Sequence, residues 1–138
     1  IPVFLTCIWL GWVLYSQNAS KAVSEAGMLS WKTYDVSAVE KLREQGKPVF
    51  VVFTAKWCIT CLVNEKTALD TKVFADLVKS RGITLFKADW TNKDDYIAQA
   101  LETYGRNSVP LYVYYDGSGD YKILPQLLTP GIVARYLH

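Results

Sequence analysis

Apolar side chains fill the chain from Ile1 to Tyr15 apart from Pro2, Thr6 and Gly11, and no charged residue occurs before Lys21. The run contains Trp9, Trp12 and Tyr15, residue types that favour a membrane–water interface. As a helix it would rise about 22 Å, less than a hydrocarbon core of about 30 Å. Two readings stay open: the end of a spanning helix, or an apolar tail packed on the domain that follows. Opening at Ile1 without Met or a basic flank is expected of a fragment or a processed product rather than an intact signal peptide. Ser16 to Gly27 (SQNASKAVSEAG) is small and polar, as a linker should be. The expected division is an apolar segment over 1–16, a linker over 17–28 and a folded domain over 29–138.

Within the folded part the hydrophobic period changes several times. Ser37 followed by Glu40 suggests a capping box, Val39 and Leu42 recur at helical spacing, and Gly46 and Pro48 stop the helix. Val49 to Thr54 (VFVVFT) is a continuous β-branched and aromatic run of strand length, as expected of a strand covered on both faces. Cys58 to Lys66 holds neither Gly nor Pro and reads as a helix. A second short helix is expected around Lys72 to Ser80, with Thr71 as cap and Gly82 as stop. Ile83 to Ala88 (ITLFKA) reads as a strand, and Asp94 to Tyr104 as a helix with Ile97, Ala100, Leu101 and Tyr104 on one face, closed by Gly105. Leu111 to Tyr115 (LYVYY) and Tyr121 to Leu124 flank Asp116-Gly117-Ser118-Gly119, a hairpin signal. Tyr112, Tyr114 and Tyr115 read as core and strand-pairing residues rather than a cofactor pocket. Thr129-Pro130 opens a last helix running to Leu137. No internal repeat is present. A βαβ crossover followed by an antiparallel pair is most economically built as a three-layer α/β/α sandwich around one mixed sheet.

Composition narrows the class. A chain of 138 residues is about one domain, and 51% hydrophobic with 20% charged residues excludes disordered and collagen-like classes. Fifteen Lys plus Arg against thirteen Asp plus Glu leaves a net charge of only +2, which gives no electrostatic case for a nucleic-acid partner. Three cysteines are too few for a disulfide-stapled mini-protein, and the odd count leaves one outside any intramolecular pair.

Cys58-Ile59-Thr60-Cys61 lies where the buried strand gives way to a helix. If Cys58 occupies the first helical turn, its sulfur faces free backbone N–H groups, which favour thiolate over thiol. Cys61 falls on the same helical face, within reach of a disulfide. The pair can therefore cycle: Cys58 attacks a partner disulfide and Cys61 resolves the mixed intermediate. Rival readings follow from the same residues. A structural zinc site needs four ligands, and the further candidates, Cys7 and His138, lie at opposite ends of the chain. Copper(I) on Cys58 and Cys61 needs no more than this pair, so a copper-binding or protein-interaction module without turnover is the alternative. No cofactor beyond the cysteine pair is expected. Cys7 is expected to take no part in the chemistry.

Trp57-Cys58-Ile59-Thr60-Cys61 after VFVVFTAK, with Val109-Pro110 before LYVYY, resembles the thioredoxin superfamily over about Trp31 to Leu137. FTAKWCITCLVNEK at Phe53–Lys66, KADWTN at Lys87–Asn92 and GRNSVPLYVYY at Gly105–Tyr115 resemble the C-terminal thioredoxin-like domain of the transmembrane reductase DsbD and of suppressor-of-copper-sensitivity proteins. The resemblance implies a protein-disulfide reductase at the bacterial inner membrane. The domain would lie in the periplasm, tethered by residues 1–16 as the tail of the last transmembrane helix. Its CxxC would take electrons from cysteines of a membrane domain. It would pass them to an N-terminal domain of the same protein or to another periplasmic disulfide protein.

Single positions carry further implications. Pro110, after Val109, matches the cis-proline that faces the CxxC in thioredoxin folds, where the adjoining backbone pairs with a partner chain. Its plain alternative is a trans proline at a strand start. Glu65 matches an acidic residue held near the active-site cysteines of DsbD-like domains. There a carboxylate would oppose thiolate formation at Cys58 and restrain a strong reductant until a partner docks. A solvated helix face is the alternative for Glu65, as simple solvation is for Lys56, which could otherwise favour a Cys58 thiolate. Trp57 reads as a packing wall of the site. Val52 departs from the pattern, since thioredoxins and several DsbD domains carry a buried Asp there that assists proton transfer.

Overall fold

The computed structural model describes residues 29–137. The apolar segment, the linker, Cys7 and His138 lie outside the described residues. The elements run β1 (Trp31–Thr33), α1 (Val36–Glu44), β2 (Val49–Thr54), α2 (Ile59–Asn64), a π-helical stretch (Glu65–Leu69), α3 (Lys72–Arg81), β3 (Thr84–Asp89), α4 (Asp95–Thr103), β4 (Leu111–Tyr115), β5 (Tyr121–Ile123) and α5 (Pro130–Tyr136). One sheet of five strands has the order β1-β3-β2-β4-β5. The first three strands pair in parallel and the last two antiparallel, with Val51 facing Phe86 on one side and Val113 on the other.

The expectation of a strand covered on both faces holds along all of β2, every residue of which is buried. Because strand side chains alternate, the run divides between two cores. Phe50 and Val52 pack with Phe74 and Val78 of α3, Tyr112 and Tyr114 of β4 and Val133 of α5. Val49, Val51 and Phe53 pack with Val39 of α1, Ile97 and Leu101 of α4 and Val113 of β4. Burying a Val or Phe side chain contributes about 1.5–3 kcal/mol. A central strand that buries both faces is thus the axis of a three-layer sandwich. Val52 stands 1% exposed in the first of these cores, packed as an apolar side chain.

Local chemistry departs from expectation at several element ends. The first helix starts at Val36, and Asp35 is its cap, accepting from Ser37 N at 3.0 Å. The Ser37–Glu40 capping box therefore does not form, and Glu40 instead pairs with Arg43 at 3.0 Å. Asp and Ser cap about equally well, and the chain enters the helix at Val36, so Asp35 takes the role two residues before Ser37. Strand β3 is shifted by one residue from Ile83–Ala88, and β1 had no visible pattern. The hairpin forms as its turn residues require: Asp116 Oδ1 accepts from Ser118 N at 2.9 Å, and Gly117 holds φ +98°. A Cβ on Gly117 would meet Gly46 O at 2.8 Å, so glycine is needed both for conformation and for the close approach to the α1–β2 turn.

Tyrosines make the two cores sensitive to alkali. Burial pushes the phenols of Tyr34 and Tyr112 up to about 12. Burial, followed by the hydrogen bond with Tyr115, raises Tyr104 as well. A phenol whose folded pKa exceeds its unfolded value keeps its proton in the native state after the unfolded chain has lost it. Its stabilisation is complete below pH of about 10 and declines as pH rises toward the folded pKa. The unfolding midpoint should therefore fall steadily between about pH 10 and 12, with phenolate absorbance from these residues appearing only near the upper limit. A midpoint flat across that window would show that these phenols are not protected.

Candidate active site

At the end of β2 the chain turns through Ala55–Cys58, and Cys58 N donates to Ala55 O at 3.1 Å. Cys58 keeps extended backbone (φ −90°, ψ 102°) and is the N-cap of α2 rather than part of its first turn, a correction to the expected placement. An N-cap must hold extended backbone while its side chain accepts from the first free N–H groups, and here sulfur takes that part. Cys58 Sγ accepts from Cys61 N at 3.2 Å. The free N–H groups inferred from the sequence thus include one aimed at the sulfur. Cys58 and Cys61 form a disulfide, with their Cα atoms 5.3 Å apart. Cys58 is 7% exposed and Cys61 is 0%, so Cys58 is the more accessible residue of a buried pair.

Val109 packs against Ala55, Cys58 and Cys61, and the Val109–Pro110 bond is cis. Pro110 is buried directly before β4. The structure thus brings Val109 of a distant loop onto the cysteine pair. Trp57 is 46% exposed, its Nε1 donates to Thr91 O at 3.1 Å, and its ring lies 6.0 Å from that of Trp90. Trp57 is thus half-exposed and held against the β3–α4 loop.

Glu65, the first residue of the π-helical stretch, is half-buried and Oε1 accepts from Thr54 Oγ1 at 3.3 Å. Its carboxylate turns toward the end of β2, not onto a purely solvated face. Together with Thr54, Ala55, Lys56, Leu62, Lys87 and Asp89 it lines a cavity of about 160 Å³ next to the turn that carries the cysteines. Lys56 is exposed, and its charge helps hold Asp89 ionised, behind the larger effect of a hydrogen bond from the Thr91 hydroxyl.

Sequence reasoning passed over Asn64, which is 1% exposed. Its Nδ2 donates to Tyr112 Oη at 2.9 Å and to Gln126 O at 2.6 Å, and its Oδ1 accepts from Leu128 N at 3.1 Å. The signal was available: Asn64 lies between Cys61 and Ala68 at helical spacing, on the buried face. Thr91 and Asp89 were also missed. Both lie in the KADWTN stretch at Lys87–Asn92, but the contacts of Thr91 with Lys56 and Trp57 span 34 to 35 positions, which no local pattern shows.

A chemically asymmetric CxxC at the entrance of α2, faced by a cis X-Pro bond, is the arrangement to compare with known proteins. The thioredoxin-like family profile matches residues 30–117. The chain belongs to the thioredoxin-like family. Among solved structures, the oxidised C-terminal domain of DsbD from Neisseria meningitidis superposes with a TM-score of 0.62 at 22% identity, covering 75% of this chain and 94% of that one. Its reduced form gives 0.62 at 20% identity, over 77% and 96%. A thioredoxin from Thermus thermophilus gives 0.60 at 17% identity, over 79% and 84%. No curated protein sequence matches the chain. At these identities the structural likeness speaks for the thioredoxin-like fold. Together with the disulfide-capable Cys58–Cys61 pair, it supports thiol–disulfide redox chemistry.

Proposed function

We propose that the chain is a protein-disulfide reductase that acts through Cys58 and Cys61. The Cys58–Cys61 disulfide at the start of α2, with Cys58 the more accessible residue and its sulfur accepting from Cys61 N, carries this reading. In the dithiol state the Cys58 thiolate, aided by the Cys61 N–H, attacks one sulfur of a partner disulfide and expels the other as a thiolate. The Cys61 thiolate then attacks Cys58 Sγ, forms the Cys58–Cys61 bond and releases the second partner sulfur. Two electrons pass to the partner, and its two thiolates take up the two protons that the enzyme dithiol gives up. The redox group is the cysteine pair itself.

The reading extends to a relay at a bacterial inner membrane. Cysteines of a membrane domain would reduce the pair again. A periplasmic disulfide protein, or an N-terminal domain of the same protein, would accept the electrons, and the apolar segment 1–16 would tether the domain. The motifs shared with DsbD-like domains and the fold likeness to the DsbD C-terminal domain support this. Among the described residues no helix is long and apolar enough to cross a membrane. Pro110 and Val109 would guide the partner backbone, and Trp57 would border it. Glu65 would restrain thiolate formation.

Equilibration with a glutathione buffer tests direction. A reductase should show a midpoint of about −200 to −300 mV, and one near about −120 mV, the range of a strong oxidant, would sink the proposal. In the same assay Glu65→Gln should move the midpoint to a more oxidising value, because removing the carboxylate stabilises the reduced thiolate. An unchanged midpoint would remove Glu65 from the mechanism. Tight stoichiometric copper(I) binding by a chain that reduces no disulfide would favour the copper-binding alternative instead.

A further inference from the structure

We propose that Thr91 is a positioning residue for thiol exchange at Cys58, because its hydroxyl and its carbonyl hold the two residues that precede the cysteine. The inference rests on the thiol-exchange reading above. Lys56 N donates to Thr91 Oγ1 at 3.0 Å, and Trp57 Nε1 donates to Thr91 O at 3.1 Å. One residue of the β3–α4 loop thus receives a main-chain N–H and an indole N–H from consecutive positions. The only main-chain bond that closes the turn itself is Cys58 N to Ala55 O.

Thr91 is in turn oriented by Asp89. The carboxylate Oδ1 accepts from Thr91 N at 3.0 Å and also from the Thr91 hydroxyl. Giving its proton to Asp89 leaves the hydroxyl oxygen free to accept from Lys56 N, so the three groups form a directed chain from a fixed anion to the turn. The loop is fixed to the sheet as well. Trp90 N donates to Thr54 O at 2.7 Å, Lys93 N to Trp90 O at 3.0 Å, and Trp90 Nε1 to Asp94 O at 3.2 Å. Lys93 adopts φ +50°, unusual for a residue with a Cβ, and its ammonium lies 5.0 Å from the Trp57 ring centre. Both Trp57 and the peptide before it are therefore referred to the end of β2 through this loop.

The chemistry depends on that reference. Cys58 Sγ meets Cys61 N only while the Ala55–Cys58 turn keeps its path. The Lys56–Thr91 and Trp57–Thr91 bonds lie at the surface, where water can replace a lost partner, so they order the turn more than they stabilise the fold.

The test uses Thr91→Val, which removes the hydroxyl but keeps the branched shape and the carbonyl, and Thr91→Ser, which restores the hydroxyl. In the reduced full chain, the pH profile of Cys58 alkylation is followed by mass spectrometry, alongside the rate of reduction of a model disulfide protein. Thr91→Val should shift the Cys58 profile to higher pH and slow exchange about three- to tenfold, while Thr91→Ser stays within about twofold of wild type. Thermal unfolding should barely change. A wild-type profile and rate in Thr91→Val would overturn the proposal, as would a Thr91→Ser variant impaired as much as Thr91→Val. If wild type itself reduces no disulfide, the reductase reading fails, whereas the alkylation profiles, which need no turnover, still decide the role of Thr91.

Discussion

Cys58→Ser should abolish disulfide exchange, and Cys61→Ser should turn the chain into a trap that stays bound to its partner. The first change replaces a thiol by a hydroxyl, which is not ionised near neutral pH and cannot attack a disulfide. A loss of at least about a thousandfold is expected, since no other described cysteine can take over. The second variant leaves the attacking sulfur in place but removes the group that resolves the intermediate. Cys58 then remains joined to the partner in a mixed disulfide, visible as a higher-mass species that vanishes on reduction. The difference follows from exposure: Cys58 is 7% exposed at the N-cap and Cys61 is fully buried behind it. Reversed behaviour, with Cys58→Ser giving the trap, would show that the roles are exchanged. Failure of Cys61→Ser to hold any partner in an extract of the cell envelope would count against relay chemistry.

The second large effect is on stability. Asn64→Ala should destabilise the domain by about 3 kcal/mol, and so lower the unfolding midpoint by more than about 10 °C. The side chain is 1% exposed and ties α2 to the segment before α5, donating to Gln126 O and accepting from Leu128 N, while it also donates to Tyr112 of β4. Truncation leaves the buried Leu128 N–H and Tyr112 hydroxyl and the part-buried Gln126 carbonyl without this partner, and each buried group so left costs about 1–3 kcal/mol. Asn64→Asp should be no better, because a carboxylate oxygen would then face the Gln126 carbonyl. Denaturant unfolding monitored by Trp fluorescence gives the value. A loss below about 1 kcal/mol would mean that water replaces all three bonds.

How far the site could be read beforehand depended on distance along the chain. The Cys58–Cys61 pair, the buried run Val49–Thr54 and the hairpin turn at Asp116–Gly119 are local patterns, with every relevant neighbour within a few residues. Caps were harder. Asp35 and Ser37 both suit an N-terminus, and which one serves depends on where the chain leaves the sheet. Strand β1 is three residues long, and only its pairing of Trp31 with Leu85 and Thr33 with Lys87 identifies it. Glu65 could be read as a functional acid or as a solvated one. Its hydrogen bond from Thr54, eleven residues away, places it against the end of β2.

By itself, then, the sequence determined the apolar run that buries both faces of β2, the three-residue spacing that lets Cys61 reach Cys58, and the confinement of every charged residue to Lys21 onward. These follow from periods of two to four residues, over which backbone geometry leaves little choice. Tertiary structure alone decided that Val109 would press on the cysteine pair, that Asn64 would bridge to Gln126 and Leu128, and that Thr91 would hold Lys56 and Trp57 from 34 to 35 positions away. Such contacts arise only once the sheet places β3 and β4 on either side of β2 and the helices pack on its faces. A hydroxyl or an amide carries no mark of the distant partner it will meet.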